Sequence, residues 1–494
     1  MAPNWTSSTS EISPRTLVTR LGEWTSGGGP LYKRLADRLR AAVEGRELTA
    51  GTRLPPERLL ARALAVSRTT VVGAYDMLRE EAVLESRQGS GTWVRERQEP
   101  DRVKPVEAPR LGHTALRGLM NAPNDTIDLL GAHLPGVEAV FTTAQSCFAD
   151  LQALTREPGY FPFGTPALRT AIARYLSRSG LPTSDDEVLV TTGAQQAIVL
   201  TASAFLQPGD AVVVEDPTYV GAIDAFRMVG ARIVPVLVGP DGAPPAAIRE
   251  AVVRSNARLV YLMPTFQNPT GSVMPETRRR DIARMAEDLQ VHVVEDNTLA
   301  DLVLTGGTPP PIAAFSPEGP VLSIGSMSKL FWAGLRIGWV RGREASLLRV
   351  IQQKVVADMG SSVPSQCLAA HLLDQTEKVK RIRRKQVAQA LDNVAAFMAE
   401  LLPGWTFVRP AGGLVAWLRL PEGDASELGQ VALRHGVSVV PGPVTSPEGR
   451  WSDHIRIPLV PDETHLREGL VRLSRAWTAY RSGARKTREM GVIV

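Results

Sequence analysis

An α/β fold is predicted: a small helical head closed by a hairpin, a linker, a large domain on a mostly parallel sheet, and a smaller α+β domain. Three observations carry this. Apolar residues recur at helical spacing over 31–80 and give way to a glycine-rich hairpin. Four prolines then fall in a mixed-charge stretch, Pro100, Pro105, Pro109 and Pro123. Beyond residue 126, short apolar strands alternate with helical stretches, as in a parallel sheet. At 494 residues the chain is too long for a single core. Residues 1–28 read as a flexible N-terminus, 29–95 as the head, 96–125 as the linker, 126–379 as the large domain, 380–482 as the small domain and 483–494 as a tail.

Composition narrows the class. Apolar content of 44% and charged content of 22% are those of a globular protein. The net charge is +5, yet residues 1–95 carry fourteen Lys and Arg against ten Asp and Glu, a basic front suited to a nucleic-acid partner. Two cysteines, Cys147 and Cys367, give no disulfide framework and no Cys-rich metal site, so no metal is assigned. Met1 to Ser13 is polar, and no apolar run approaches the roughly 20 residues of a spanning helix. A cytoplasmic location without a membrane partner is expected.

In the head, Leu31, Leu35, Leu39 and Val43 line one helix. Gly51 to Glu57 is a turn and helix start, and Leu59, Leu60, Ala63 and Leu64 form an apolar face. Val66-Ser67 is a turn with an N-cap serine, and a further helix spans about Arg68 to Glu81. Val83–Ser86 and Thr92–Arg95 bracket Gly89-Ser90-Gly91, a hairpin tip. Three helices and a small hairpin make a winged helix-turn-helix. A recognition helix needs short polar and basic side chains in its first turn, which enters the major groove. Ser67, Arg68, Thr69 and Thr70 fit; Arg68 could grip a guanine edge or a phosphate, and Ser67 and Thr69 suit phosphates.

In the body, strands are predicted at Val188–Thr191, Ala211–Glu215, Leu259–Met263, Val291–Glu295, Val321–Ile324 and Ile337–Val340. A long helix from near Ser362 through Val394 leads to the small domain, with strands at Leu414–Leu420, Val437–Val440 and His454–Pro458.

The chemistry gathers at strand ends. Lys329 follows Ser326-Met327-Ser328, just after an apolar run. Asp296 ends a buried-looking strand, where a carboxylate needs a cationic partner. Thr192-Gly193-Ala194-Gln195 joins a strand to a helix, whose N–H groups can take a phosphate. Ser326 and Ser328 add hydroxyls and Arg336 adds charge. Tyr219 can lie on a ring face, and Asn268 in Asn268-Pro269-Thr270-Gly271 can donate to a ring hydroxyl. An amine, an acid, phosphate donors and a flat cover are what pyridoxal 5'-phosphate requires.

Two resemblances follow from these motifs. Pro30-Leu31-Tyr32, Gly51 to Arg58, Val66 to Val71, Ala74-Tyr75 and Gly89 to Thr92 resemble the GntR family of bacterial regulators over residues 29–95. That likeness implies DNA contacts from Arg58, Ser67, Arg68, Thr69 and wing Gly89; Pro55-Pro56-Glu57 stands where the family usually has Pro-Ser-Glu. Gly193-Ala194-Gln195, Asp216 to Tyr219, Asn268 to Gly271, Asp296, Ser326-x-Ser328-Lys329 and Arg336 resemble fold-type I aminotransferases over about 126–480. This second likeness implies a fold-type I PLP-dependent aminotransferase fold and a two-fold homodimer. It also implies that Arg456 grips a substrate or effector carboxylate. Fused in one chain, the two parts look like the MocR subfamily. One departure stands out: the family often has a tyrosine two or three residues past the strand-end Asp, where this chain has Thr298 and Leu299.

The expected function is a transcription regulator that binds double-stranded operator DNA and senses an amine, an amino acid or PLP itself. The alternative is an active aminotransferase with an accessory DNA-binding module. Thr298 and Leu299, with the intact reading helix, favour regulation with residual or no transamination.

Overall fold

The computed structural model describes residues 11–25, 29–45, 47–87, 91–95 and 126–490. Wing residue Gly89 and the 96–125 linker fall outside the described residues.

The head is built on helices Leu31–Glu44, Glu57–Ala63 and Arg68–Glu80, with strands β1 (Arg53–Leu54), β2 (Leu84–Arg87) and β3 (Gly91–Val94). The strands form an antiparallel sheet in the order β1-β3-β2. Ser67 caps the third helix by accepting from Thr70 N. Tyr75 is fully buried, and its hydroxyl donates to Pro55 O at 3.0 Å, satisfying that side chain's one polar atom.

Two expectations fail here. The N-terminal stretch is ordered from Glu11: helix Pro14–Leu21, capped by Ser13, buries Leu17 and Leu21, and Trp24 packs in the same core. Ser13-Pro14 is a cap followed by proline at the first helical position, a start signal hidden among Ser and Thr. Leu59 is 46% exposed and does not join the apolar face formed by Leu60, Ala63 and Leu64.

The body centres on a seven-stranded sheet. Its strands are β5 (Val188–Thr191), β6 (Ala211–Asp216), β7 (Arg232–Leu237), β8 (Leu259–Leu262), β9 (His292–Asp296), β10 (Val321–Ser326) and β11 (Gly338–Arg341). The order is β5-β11-β10-β9-β8-β6-β7, with β11 antiparallel to both of its neighbours and the other pairings parallel. Helices cover both faces, so most strands are apolar on both sides, as Val212, Val213 and Val214 are. The strand β7 was not anticipated. It is an edge strand carrying Pro235, which an edge tolerates but which argues against a strand in sequence.

The expected helix from Ser362 to Val394 is two helices, Val363–Leu373 and Thr376–Leu401. The chain turns at Asp374-Gln375, and the Thr376 hydroxyl donates to Leu373 O at 2.7 Å. With no Gly or Pro there, the sequence carries no breaker signal. The small domain has a sheet of β12 (Thr406–Phe407), β13 (Val415–Arg419), β15 (Val440–Pro441) and β16 (His454–Pro458), in the order β12-β13-β16-β15. The single strand expected over Val437–Val440 is divided: β14 (Val437–Ser438) pairs instead with β4 (Ile127–Asp128). The C-terminal helix Glu463–Met490 runs through much of the expected tail.

Head and small domain touch. Arg434 donates to Ala65 O at 2.8 Å and to Leu64 O at 3.5 Å. Arg15 pairs with Asp424 at 2.8 Å and Arg62 with Glu427 at 3.6 Å. All three small-domain partners lie on or cap the helix Ala425–Arg434.

Candidate cofactor site and DNA-reading face

In parallel sheets, ligands bind beyond the carboxyl ends of the strands. Thr191, Asp216, Asp296 and Ser326 are the last residues of β5, β6, β9 and β10, and the predicted site residues cluster there.

Asp296 is buried, with both oxygens held: Thr298 N donates to Oδ1 at 2.9 Å and Tyr261 Oη–H to Oδ2 at 2.8 Å. Tyr261 was missed in sequence. Its signal was a lone hydroxyl in the apolar strand β8, since a buried tyrosine needs a partner. Near it, Glu215 is fully buried, and desolvation pushes its carboxyl up to about 8.

Lys329 donates to Ala132 O at 2.7 Å. Burial and the nearby Arg456 push its amine down to about 8; Asp296 opposes the shift and Arg336 adds to it. The amine therefore shares one electrostatic neighbourhood with Arg456, Asp296 and Arg336. Tyr219 feels Asp296, Arg456 and Arg336 as well, and burial raises its phenol to about 12. Arg456 on β16 is buried and donates to Leu130 O, while its Nε has no partner among the described residues.

The phosphate-type donors meet at one loop. Gly193, at φ +88°, caps helix Ala194–Phe205 without a side-chain cap, leaving the first N–H groups without intrahelical partners. A Cβ on Gly193 would come within 2.9 Å of the Arg336 guanidinium, which itself donates to Thr192 O at 2.6 Å. Gln195 Nε2 instead reaches Gly221 O at 2.8 Å. Ser326 Oγ bonds Ser328 Oγ at 3.0 Å, and Ser328 N donates back to Ser326 Oγ at 3.2 Å. Asn268 is half-buried in the turn after β8. Thr298 Oγ1, where a tyrosine was the family expectation, is buried without a partner among the described residues, and Leu299 is buried. A glycine cradle around a guanidinium, an uncapped helix N-terminus, a half-buried amine with a lowered pKa and a buried carboxylate fit pyridoxal phosphate.

On the head, Arg58, Ser67, Arg68 and Thr69 are exposed. Ser67 Oγ bonds Thr69 Oγ1 at 2.7 Å and Thr70 Oγ1 at 2.8 Å, ordering the first turn of the reading helix.

Known proteins agree with this division. Residues 130–473 match the model of aminotransferase class I and II, and residues 31–94 that of bacterial regulatory proteins, gntR family. The chain belongs to the aminotransferase class I and II family and carries a GntR-type helix-turn-helix, the MocR-type arrangement. It is 29% identical to the uncharacterized HTH-type transcriptional regulator YisV of Bacillus subtilis, over 86% of this chain and 91% of that one. It is 33% identical to the 2-aminoadipate transaminase of Thermus thermophilus, over 64% of this chain and 79% of the other. The crystal structure of LysN, the alpha-aminoadipate aminotransferase of Thermus thermophilus, complexed with N-(5'-phosphopyridoxyl)-L-leucine, superposes with a TM-score of 0.68 at 29% identity. The match covers 76% of this chain and 97% of LysN. The cofactor of this fold is pyridoxal phosphate. Among the described residues no helix is long and apolar enough to cross a membrane.

Proposed function

We propose that the protein is a homodimeric transcription regulator whose aminotransferase-like body senses an amine, an amino acid or pyridoxal phosphate and passes the signal to the DNA-reading head. The observation that carries this reading is the grip of Arg434 on the Leu64 and Ala65 carbonyls. Those carbonyls lie in the turn just before Ser67 and Arg68, so the small domain holds the reading helix at its entry. A ligand can alter DNA affinity only by favouring one arrangement of head and body.

In this reading, Lys329 supplies the amine that holds the cofactor and Asp296 faces the ring nitrogen. Gly193, Ala194, Gln195, Ser326, Ser328 and Arg336 take the phosphate. Tyr219 covers the ring and Asn268 meets its hydroxyl. When bound, the cofactor would supply an electrophilic carbon for an incoming amine. Arg456 takes the ligand's carboxylate; it stands on the small domain, so ligand binding draws that domain toward the sheet. Arg58, Ser67, Arg68, Thr69 and wing Gly89 contact the operator.

A dimer is supported by exposed large apolar side chains. Phe141 (70% exposed), Phe148 (69%), Tyr160 (69%) and Val356 (87%) lie open, and Gly360 packs on the Phe161 backbone, which brings the segments of Tyr160 and Val356 together.

The test is operator binding by the cofactor-loaded protein, titrated with amines and amino acids. Ligand-dependent affinity that Lys329→Ala abolishes, with the head still folded, is expected. The aminotransferase reading is favoured by the convergence of Lys329, Asp296, Arg336 and Arg456. Brisk multiple-turnover transamination with DNA binding indifferent to ligand would decide for it.

A further inference from the structure

We propose that Cys367, His371 and Asp150 bind a zinc-class divalent cation at a site separate from the cofactor. In sequence the two cysteines are 220 residues apart and suggest nothing. The fold sets the helix Phe148–Leu154 against the helix Val363–Leu373. Cys367 and His371, four apart, share one face of the second helix. Cys147 caps the first helix and Asp150 sits in its first turn.

The Cys367 Sγ, a His371 ring nitrogen and an Asp150 carboxylate oxygen all lie within 4.8 Å of one another. Ligand atoms about 2.0–2.3 Å from a shared zinc stand roughly 3.3–3.8 Å apart in a tetrahedron, so little rearrangement is needed. The His371 Nε2 to Asp150 Oδ2 contact of 2.7 Å would open by less than about 1 Å. Cys147 lies beside this set and leaves the fourth position to water. Its thiol now donates to Ala144 O at 3.2 Å, and its carbonyl accepts from the Cys367 thiol at 3.5 Å. Burial first, and then the adjacent Cys147 thiol, push the Cys367 thiol up to about 11. A cation would displace that proton.

A thiol, an imidazole and a carboxylate form a borderline-soft donor set, suited to zinc and poor for magnesium or calcium. The cysteines are buried, while His371 and Asp150 are 40% and 60% exposed at the side chain, so an ion can enter from solvent. Bound there, it would staple two helices. The second begins just past Asp358, whose Oδ2 accepts from Gln196 Nε2 at 2.7 Å behind the Gly193 loop.

The test loads the full-length, cofactor-bound protein with zinc or cobalt under reducing conditions, then dialyses it against metal-free buffer. About one metal per chain, a thiolate-to-cobalt charge-transfer band and a zinc-dependent rise in Tm are expected. Even outer-shell partners change metal affinity about 10–100-fold, so Cys367→Ser and His371→Ala should each weaken binding at least about tenfold. His371 lies at the surface, so His371→Ala tests the site even if a cysteine variant misfolds. No retained metal, or retention unchanged in either variant, overturns the proposal. So does a Cys147–Cys367 disulfide that forms on mild oxidation in the presence of zinc, since that makes the pair a redox couple.

Discussion

Arg434→Ala tests the route from body to head. Arg434 offers a cation to two carbonyls at the end of helix Glu57–Ala63, a favourable place for positive charge. Hydrogen bonds to charged groups contribute about 1.5–3 kcal/mol. Arg434 is solvent-exposed, and one of its contacts is long at 3.5 Å, so the lower figure applies. A loss of about 1.5 kcal/mol shifts the docked-to-free ratio of the head roughly tenfold. The ion pairs Arg15–Asp424 and Arg62–Glu427 involve exposed arginines and add at most about 1 kcal/mol each, so they do not hide the effect. Fluorescence transfer between a dye on the head and one on the small domain would report docking, and operator titrations with and without ligand would report coupling. The expected outcome is looser docking, intact cofactor absorbance and a ligand effect on DNA affinity reduced about tenfold. Wild-type coupling in Arg434→Ala would refute the contact as the route.

Three further predictions concern the two sites. Capture of pyridoxal phosphate by the apo-protein should quicken as pH rises through about 8, because the neutral Lys329 amine is the nucleophile and burial with Arg456 lowers its pKa to about 8. Stopped-flow absorbance against pH checks this, and Arg456→Gln should move the midpoint upward by removing a repelling cation. Gly193→Ala, at φ +88° and 2.9 Å from the Arg336 guanidinium, should weaken cofactor retention on dialysis while the head melts normally. Arg68→Ala should lose roughly 1–3 kcal/mol of operator affinity if it makes a bidentate base contact, with the cofactor spectrum unchanged; gel shifts at several salt concentrations separate this from a phosphate contact.

What the sequence by itself determined was local. Asp296, Lys329, Gly193 and Ser67 sit at strand ends, turns and caps, where the allowed residue types are few and the spacing is short. Their neighbourhood could be read from residues a few positions away. The tertiary structure decided what depends on distant partners. Tyr261 meets Asp296 because β8 and β9 are adjacent in the sheet. The strand β7 exists despite Pro235 because an edge leaves that position free of a ladder bond. The helix break at Asp374-Gln375 has no local signal, and the order of Pro14–Leu21 comes from burial against the head core. Arg434 reaches Ala65 across 369 residues, and Cys367 reaches Cys147 across 220. Periodicity reports which face of a segment is buried, not what covers it; packing supplies that second fact, and with it the contact between the small domain and the turn before the third head helix.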